Sequence, residues 1–339
     1  MSTDYSKSIY YGTLISEPRD ACDGWNCTTC VIITIVVMIV IAIVIAAIVI
    51  GWLLHQWETW KQETIRTLRV GQAKGVYQSC ANPADLGPVQ QFPTTVVDLA
   101  ATSYQPQMAA YLLQVAIQTT QDSCRPDLAP IVPPGFTQYR EMRSINPFDN
   151  KERPVATAFW SIDAQGCMDT LLISFNGTKF LDQWITDIRF LQQPPNQLND
   201  YQDGMLVHNG FYESYLSIRD QVLDLLQYQP RRYLLAGHSL GGATSTIAAL
   251  DTAAWNPTHY SFASPRVGNP AFAAQYQALL PYGQRVVNLS DDIPELPPPV
   301  LGKIVYQHVP NLVYFTENLG TIYDNHITAY VNNVVKAPL

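Results

Sequence analysis

The chain has few charged residues for its length. Asp, Glu, Lys and Arg make up 14% of its 339 residues, whereas an average soluble chain has about 25%. Acidic residues outnumber basic ones by 28 to 20, the formal net charge is −8, and the sequence contains no block of basic residues. Because a nucleic-acid partner requires a basic surface, we do not expect DNA or RNA binding.

Cysteine is also scarce, with six residues. Cys27-Thr-Thr-Cys30 resembles half of a zinc site, but no second CxxC or histidine pair completes it, so we expect no structural metal. Acylation, a disulfide or no role at all remain open for the cysteines before residue 31. The three cysteines after residue 54 cannot all pair with one another.

The most prominent feature of the sequence is an apolar run from Val31 to Leu54. It contains no charge, and Thr34 is its one polar side chain. As a helix it would be about 36 Å long, enough to cross a hydrocarbon layer of roughly 30 Å with some tilt. The alternative is a buried core helix, but no globular core needs a helix this long that is apolar all round. Three tryptophans suit the membrane interface at its C-terminal end, and they are Trp52, Trp57 and Trp60.

We interpret this run as an uncleaved membrane anchor. A signal peptide has a short basic start and an apolar region of about 7 to 15 residues, whereas here several acidic residues precede a longer run. Residues 11–30 contain one basic residue, Arg19, and residues 55–74 contain Lys61, Arg66, Arg69 and Lys74. The positive-inside rule therefore predicts that residues 55–339 face the cytosol.

The remaining sequence alternates between strand and helix patterns. We divide the chain into a short tail at 1–30, the transmembrane helix at 31–54, a stalk and irregular linker at 55–107, and one domain at 108–339. Strands separated by helices predict an α/β fold whose mainly parallel sheet has helices on both faces. The predicted strands are 155–163, 169–175, 232–236, 260–263 and 286–289, and the predicted helices are 108–121, 211–228, 243–254 and 270–280. The proline-rich stretch at 125–154 is predicted to be irregular.

Gly237-His-Ser-Leu-Gly241 matches the pattern G-x-S-x-G. An apolar strand precedes it and an alanine-rich helix follows, which is the strand, turn and helix of a nucleophile elbow. The alternative is a glycine-rich turn with an incidental serine. In an elbow, the small residues leave room for the strained turn at Ser239.

A serine hydroxyl needs a base and an orienting carboxylate, and in this fold the chain order is serine, acid, histidine. Asp291 and Asp292 follow a predicted strand, where site residues of open α/β sheets gather. His259 precedes both aspartates, and His308 is better explained as a structural histidine. His326, at a predicted helix start, is the better base.

At these residues the chain resembles the class 3 lipase family, the fungal-type triacylglycerol lipases and their relatives. The resemblance covers about residues 172–331, and six segments match in order: 173–178, 184–188, 207–211, 237–242, 262–269 and 291–298. It implies an α/β-hydrolase-like fold for the domain at 108–339. It also implies a triad of Ser239, Asp291 and His326, because the family aspartate stands three residues before a proline.

The resemblance further implies an oxyanion hole built from Thr178 and from the backbone N–H of Leu240. Each such donor can contribute about 10² to 10³ in rate. One position departs from the family pattern: Asn176 stands where an arginine is usual, which puts the rigidity of that loop in doubt. Residues 179–191 correspond to a lid helix that opens at a lipid surface, although an ordinary core-facing helix explains the same apolar stripe. His208 corresponds to a structural position.

The sequence therefore predicts a membrane-anchored serine hydrolase that cleaves acylglycerol or phospholipid esters. The predicted partners are a lipid ester and a bilayer. Neither a metal nor an organic cofactor is needed, and no protein partner can be named. The competing hypothesis is a catalytically silent relative that serves as a membrane-bound interaction module.

Overall fold

The apolar run lies in one continuous helix. The computed structural model describes residues 27–73, 103–123, 129–145, 152–177 and 190–334, and it places helix α1 at Cys27–Ala73. Within α1, Ile32–Thr59 is the one span in the described part of the chain that is long and apolar enough to cross a membrane, with a mean hydropathy of 3.5. The chain divides into two compact units, residues 1–57 and residues 58–339.

The second unit is built on a seven-stranded sheet. Neighbouring strands β1 to β3 are antiparallel, and strands β3 to β7 are parallel. The sheet order follows the chain order: β1 (Gln138–Ile145), β2 (Glu152–Ile162), β3 (Met168–Phe175), β4 (Arg232–His238), β5 (Thr258–Phe262), β6 (Gln284–Asn288) and β7 (Leu312–Phe315). The central strand β4 is buried at six of its seven positions, as expected of a parallel strand covered on both faces.

Helices cover both faces of this sheet. They are α2 (Pro106–Asp122), α3 (Asn209–Leu216), α4 (Arg219–Leu226), α5 (Leu240–Asp251), α6 (Pro270–Leu279) and α7 (Ala329–Asn333). Side chains of α3 to α6 share one apolar core with Leu171, Ile173 and Leu235. Side chains of α2 and α7 share a second core with Leu172 and Leu234. Because neighbouring residues of a strand point to opposite faces, these two cores lie on opposite sides of the sheet, and the predicted α/β-hydrolase-like class is confirmed.

Two sequence predictions about elements are wrong. The helix predicted over residues 211–228 is two helices, because α3 ends at Leu216 and α4 begins at Arg219. Residue 218 is the break, with φ −128° and ψ 2°, and its side chain is buried in the core. The stretch at 125–154 is not irregular throughout, since β1 lies within it at the sheet edge. An edge strand exposes many polar side chains, which hides its alternation.

A buried carboxylate connects three elements on the α3 to α6 side. Asp251, at the end of α5, is fully buried and accepts hydrogen bonds from the Tyr215 hydroxyl at 2.7 Å and from Arg219 Nε at 2.7 Å. The backbone N–H of Asn199 donates to its other oxygen at 2.6 Å. Burial, followed by the charge of Asp251, raises the pKa of Tyr215 well above its usual value. The tyrosine therefore stays protonated and donates.

Replacing Arg219 by Met should destabilise the fold by about 3–5 kcal/mol, because it leaves the Asp251 charge buried without its cation. Arg140→Met is a matched control. Arg140 pairs with Asp224 across a surface where both side chains are more than a third exposed, and such pairs contribute about 0–1 kcal/mol. Urea unfolding of the two full-length variants checks the difference. Equal losses would contradict the role given to the Asp251 cluster.

Candidate active site

Ser239 stands at a sharp turn between β4 and α5. Strand β4 ends at His238 and α5 begins at Leu240, so one residue makes the whole connection. Ser239 has φ +60° and ψ −128°, a region that side-chain-bearing residues rarely adopt. The backbone N–H of Ser239 donates to Phe262 of β5 at 2.9 Å, which holds the strained residue in place. The elbow predicted from the sequence is thus present in the structure.

Glycine is required on both sides of the elbow. A Cβ atom on Gly237 would lie 2.1 Å from the carbonyl oxygen of Gly241, and one on Gly241 would lie 2.2 Å from the carbonyl oxygen of Phe175. Both obstacles are backbone atoms, which cannot swing aside as a side-chain end can. The first turn of α5 therefore packs directly against the ends of β3 and β4.

Gly241→Ala should disrupt the elbow, since the added methyl group overlaps the backbone of β3. We expect a lower thermal midpoint and loss of reaction between Ser239 and a fluorophosphonate probe. Gly210→Ala in α3 is the matched control, because a Cβ there would meet only the side chain of His208, at 3.3 Å. Normal labelling of Gly241→Ala would show that the contact is not needed.

Asp291 and His326, the predicted acid and base, form a buried pair. The Nδ1–H of His326 donates to Oδ2 of Asp291 at 2.8 Å. The two residues are 2% and 3% exposed, so water competes little with this bond. Asp291 also accepts from the backbone N–H of Ile293 at 3.1 Å through its other oxygen. Asp292 is exposed instead, and partial desolvation of its carboxyl, followed by the charges of Asp291 and Glu295, raises its pKa. Of the two aspartates, Asp291 contacts the histidine.

In an acyl-transfer reaction, the proton of Ser239 Oγ would pass to His326 Nε2. Both are buried, and neither has a hydrogen-bond partner in the described part of the chain. The two residues are connected through His238, whose ring centre lies 4.6 Å from that of His326. Catalytic hydrogen bonds are often long without substrate and tighten only when the complex forms. The structure thus holds a serine and an acid–histidine pair at one end of the sheet.

His238 supports His326 through a hydrogen bond to its main chain. Its Nε2–H donates to the backbone carbonyl of His326 at 2.7 Å. Burial and the neighbouring His326 lower the pKa of His238 well below its usual value. His238 is therefore neutral, and it holds the main chain of His326 in place.

Tyr330 is a site residue that sequence reasoning missed. Its hydroxyl donates to Oδ2 of Asp291 at 3.0 Å, the same oxygen that His326 contacts. Burial and the charge of Asp291 raise the pKa of Tyr330 well above its usual value, so it remains a donor. The available signal was its position four residues after His326, which places both side chains on one helical face. The turn between them is a π-helix at Asp324–Thr328.

The predicted oxyanion hole is partly described. Leu240 is the first residue of α5, and the N–H groups of a first helical turn have no partner within the helix. Thr178 lies outside the described residues, as does the predicted lid except for its last two positions. The preceding residue, Gly177, donates its N–H to Thr120 Oγ1 at 2.8 Å. A Cβ on Gly177 would lie 3.6 Å from Cβ of Ser239, so this loop passes beside the nucleophile.

Asn176 braces the same loop from the other side. Its backbone N–H donates to Val155 at 2.9 Å, and its Nδ2 donates to the carbonyl of Pro154 at 3.1 Å. Strand β2 therefore provides a bond to this loop where the family has an arginine. Asn176 Oδ1 is buried with no hydrogen-bond partner among the described residues.

His208 and His308, which are predicted to be structural, and His259, which the chain order disfavours as the base, all bond to the scaffold. His208 Nδ1 accepts from the N–H of Phe211 and caps α3. His259 lies between Ser245 and Tyr276, and burial lowers its pKa to about 3. His308 contacts the carbonyl of Pro294 at 2.9 Å. No group of three potential metal ligands occurs within the part of the chain that the structure describes.

Part of the chain is similar to known lipases. Residues 172–301 match the family described as Lipase (class 3). A lipase of Rhizomucor miehei is 35% identical over 164 residues, covering 44% of this chain and 42% of that protein. A secreted mono- and diacylglycerol lipase A of Penicillium cyclopium is 31% identical over 147 residues, covering 41% and 46%. A chloroplastic phospholipase A(1) of Arabidopsis thaliana is 33% identical over 153 residues, covering 39% and 34%.

Solved structures of similar proteins include a mono- and diacylglycerol lipase from Aspergillus oryzae. It is 21% identical with a TM-score of 0.49, and the alignment covers 66% of this chain and 85% of that one. The chain spans less than half the length of the curated relatives named above. Residues 172–301 match the class 3 lipase family and contain all six segments, so the resemblance that those segments predicted is confirmed over this range.

Proposed function

We propose that this protein is a serine hydrolase that cleaves carboxylic esters of lipids. The observation that carries the proposal is the buried Asp291–His326 pair at the end of the sheet where the strained elbow presents Ser239. The relatives are named as lipases and as a phospholipase, so an acylglycerol or phospholipid ester is the substrate class.

The reaction follows from the roles that these groups can take. Ser239 Oγ attacks the ester carbonyl while His326 Nε2 accepts its proton, and His326 then gives that proton to the leaving alcohol. Asp291 keeps the Nδ1–H of His326 in place and stabilises the imidazolium that forms. Water, deprotonated by the same histidine, attacks the acyl-enzyme and releases a fatty acid. The serine, histidine and aspartate return to their starting protonation states.

The oxyanion, whose charge develops only in the transition state, is stabilised by donors that are already in place. The N–H of Leu240 is one donor, and Thr178 is the proposed second donor. The bonds from Gly177 to Thr120 and from Asn176 to Pro154 support the second donor by fixing the loop that precedes it. A preorganised donor needs no reorientation when the charge develops.

Ser239→Ala and His326→Ala should each lower kcat by about 10⁴-fold or more, and the double variant should be hardly worse, because the triad acts as one unit. Hydrolysis of short-chain and long-chain acyl esters by the full-length protein measures this. Ser217→Ala is the control, since that exposed serine only bonds a carbonyl at the end of α3.

Ser239→Ala with full activity would refute the mechanism. Wild-type protein that hydrolyses no ester, while still folded, would favour the silent interaction module. Asp291→Asn and Asp292→Asn separate the two acids, and only the first should lose activity, because Asp291 alone bonds His326.

We also propose that Ile32–Thr59 anchors the enzyme in a membrane. All the large apolar side chains from Ile32 to Leu54 are at least 40% exposed. Such a surface is unfavourable in water and favourable in lipid. A secretion signal is the alternative, since the Penicillium relative is named as secreted. The apolar run is longer than a signal needs.

We further propose that the second unit, residues 58–339, faces the cytosol, and we call it the hydrolase unit. The basic residues flanking the span favour this orientation, and the two N-x-Ser/Thr sequons of the unit support it. Asn288 Nδ2 donates to two carbonyl groups and Asn176 Nδ2 donates to a third. A glycan attaches to that same nitrogen and leaves it one hydrogen, so a modified Asn288 could not keep both bonds, and burial leaves no room for a glycan at either residue.

Protease treatment of sealed microsomes tests the orientation. The hydrolase unit of the full-length protein should be digested without detergent, while an epitope tag at the N-terminus should be protected until detergent is added. Survival of the hydrolase unit, or glycosylation at Asn176 or Asn288, would show that the proposed orientation is wrong.

A further inference from the structure

The acid and the base belong to different segments of the chain. Asp291 lies three residues beyond the end of β6, whereas His326 lies in the π-helical turn before α7. Their single hydrogen bond of 2.8 Å must be maintained although each residue lies outside the sheet. The two segments therefore need a connection that does not depend on the pair itself.

Asn288 provides the first half of that connection. It is the last residue of β6 and is completely buried. Its Nδ2 donates to the carbonyls of Glu317 at 2.8 Å and Asn325 at 3.0 Å. Its Oδ1 accepts from the N–H groups of Ser290 at 3.2 Å and Glu317 at 2.9 Å. All the usual hydrogen-bonding capacity of the side-chain amide is used.

Asn325 provides the other half. It directly precedes His326, and its Nδ2 donates to the carbonyl of Ser290, directly before Asp291, at 3.0 Å. Its Oδ1 accepts from the N–H of Leu319 at 2.7 Å. Each asparagine thus donates across to the other segment. Asn288 bonds the residue before His326, and Asn325 bonds the residue before Asp291.

A third contact ties this pair of asparagines to the carboxylate. The backbone N–H of Asn288 donates to the Tyr330 hydroxyl at 2.9 Å, and that hydroxyl donates to Asp291 Oδ2. The end of β6 is therefore linked both to the main chain beside His326 and to the oxygen that His326 contacts.

We propose that Asn288 and Asn325 form an amide bridge that positions Asp291 against His326. The inference rests on the proposed function, since it concerns the same triad. An asparagine suits the role because one short side chain carries both donors and an acceptor, whereas an aspartate in either position could not donate to the facing carbonyl. The bridge residues are positioning residues and touch no reacting atom.

The test combines kinetics with proton NMR of the full-length protein in detergent micelles. The Nδ1 proton of His326, held in a buried bond to a carboxylate, should give a downfield resonance in histidine-labelled protein. Asn288→Ala should lower kcat about 10- to 100-fold, because a displacement of about 1 Å at a reacting centre has effects of this size. KM should stay within about twofold, since substrate binding is untouched. The downfield resonance should shift upfield or broaden.

Asn269→Ala is the matched control. Asn269 is also a hydrogen-bonded asparagine, since it accepts from the N–H groups of Leu206 and Phe272 and donates to Gly204. Its loss removes a helix cap from α6 and should lower the thermal midpoint. It should change neither the turnover of the folded protein nor the resonance.

Asn325→Ala keeps the proposal falsifiable if Asn288→Ala does not fold, because Asn325 is only partly buried and its loss leaves β6 intact. Its effects should have the same direction and be smaller. An unchanged His326 resonance in the bridge variants, or a loss of kcat equal to that in Asn269→Ala, would overturn the proposal. The resonance requires no turnover, so it tests the bridge even if the wild-type protein hydrolyses no ester and the proposed function fails.

Discussion

The geometry of the candidate active site depends on how closely α5 approaches the ends of β3 and β4. With one residue between strand and helix, the first turn of α5 rests on the backbone of Phe175, and a methyl group at Gly237 or Gly241 would overlap carbonyl oxygens. The same approach forces Ser239 to a positive φ and directs the N-terminus of α5 toward the space above the serine. The positions of the proposed nucleophile and of the proposed oxyanion donor thus follow from one packing constraint.

The proposed acid and base are held in a different way. Asp291 and His326 lie beyond the short strands β6 and β7, where the sheet no longer restrains the chain. Side-chain hydrogen bonds to backbone groups take over that task through Asn288, Asn325 and His238. Tyr330 adds a bond to the Asp291 carboxylate itself. In a buried site such bonds are strong when every member has a partner. A rigid turn and a bonded loop network therefore meet at His238, directly before Ser239.

Much of this arrangement could be predicted from the sequence, and the reasons are local. Tyr233 to Ala236 is a short apolar run followed by small residues, so the elbow could be recognised without any tertiary information. The parallel order of the sheet followed from alternating strand and helix patterns. Strands β1 and β7 were missed because both lie at sheet edges, where one side lacks a neighbour and apolar alternation is weak.

The residues that sequence reasoning missed share one property: their partners are distant along the chain. Asn288 and Asn325 are 37 residues apart, and His238 and His326 are 88 apart. A buried asparagine looks in sequence like any polar residue near a loop, and its importance appears only when its four bonds are counted. Asn288 also begins an N-x-Ser sequon, which sequence alone presents as a modification site. The fold gives its amide nitrogen two carbonyl partners instead. The nitrogen to which a glycan would attach is therefore the one that, in the proposed bridge, bonds the residue before His326.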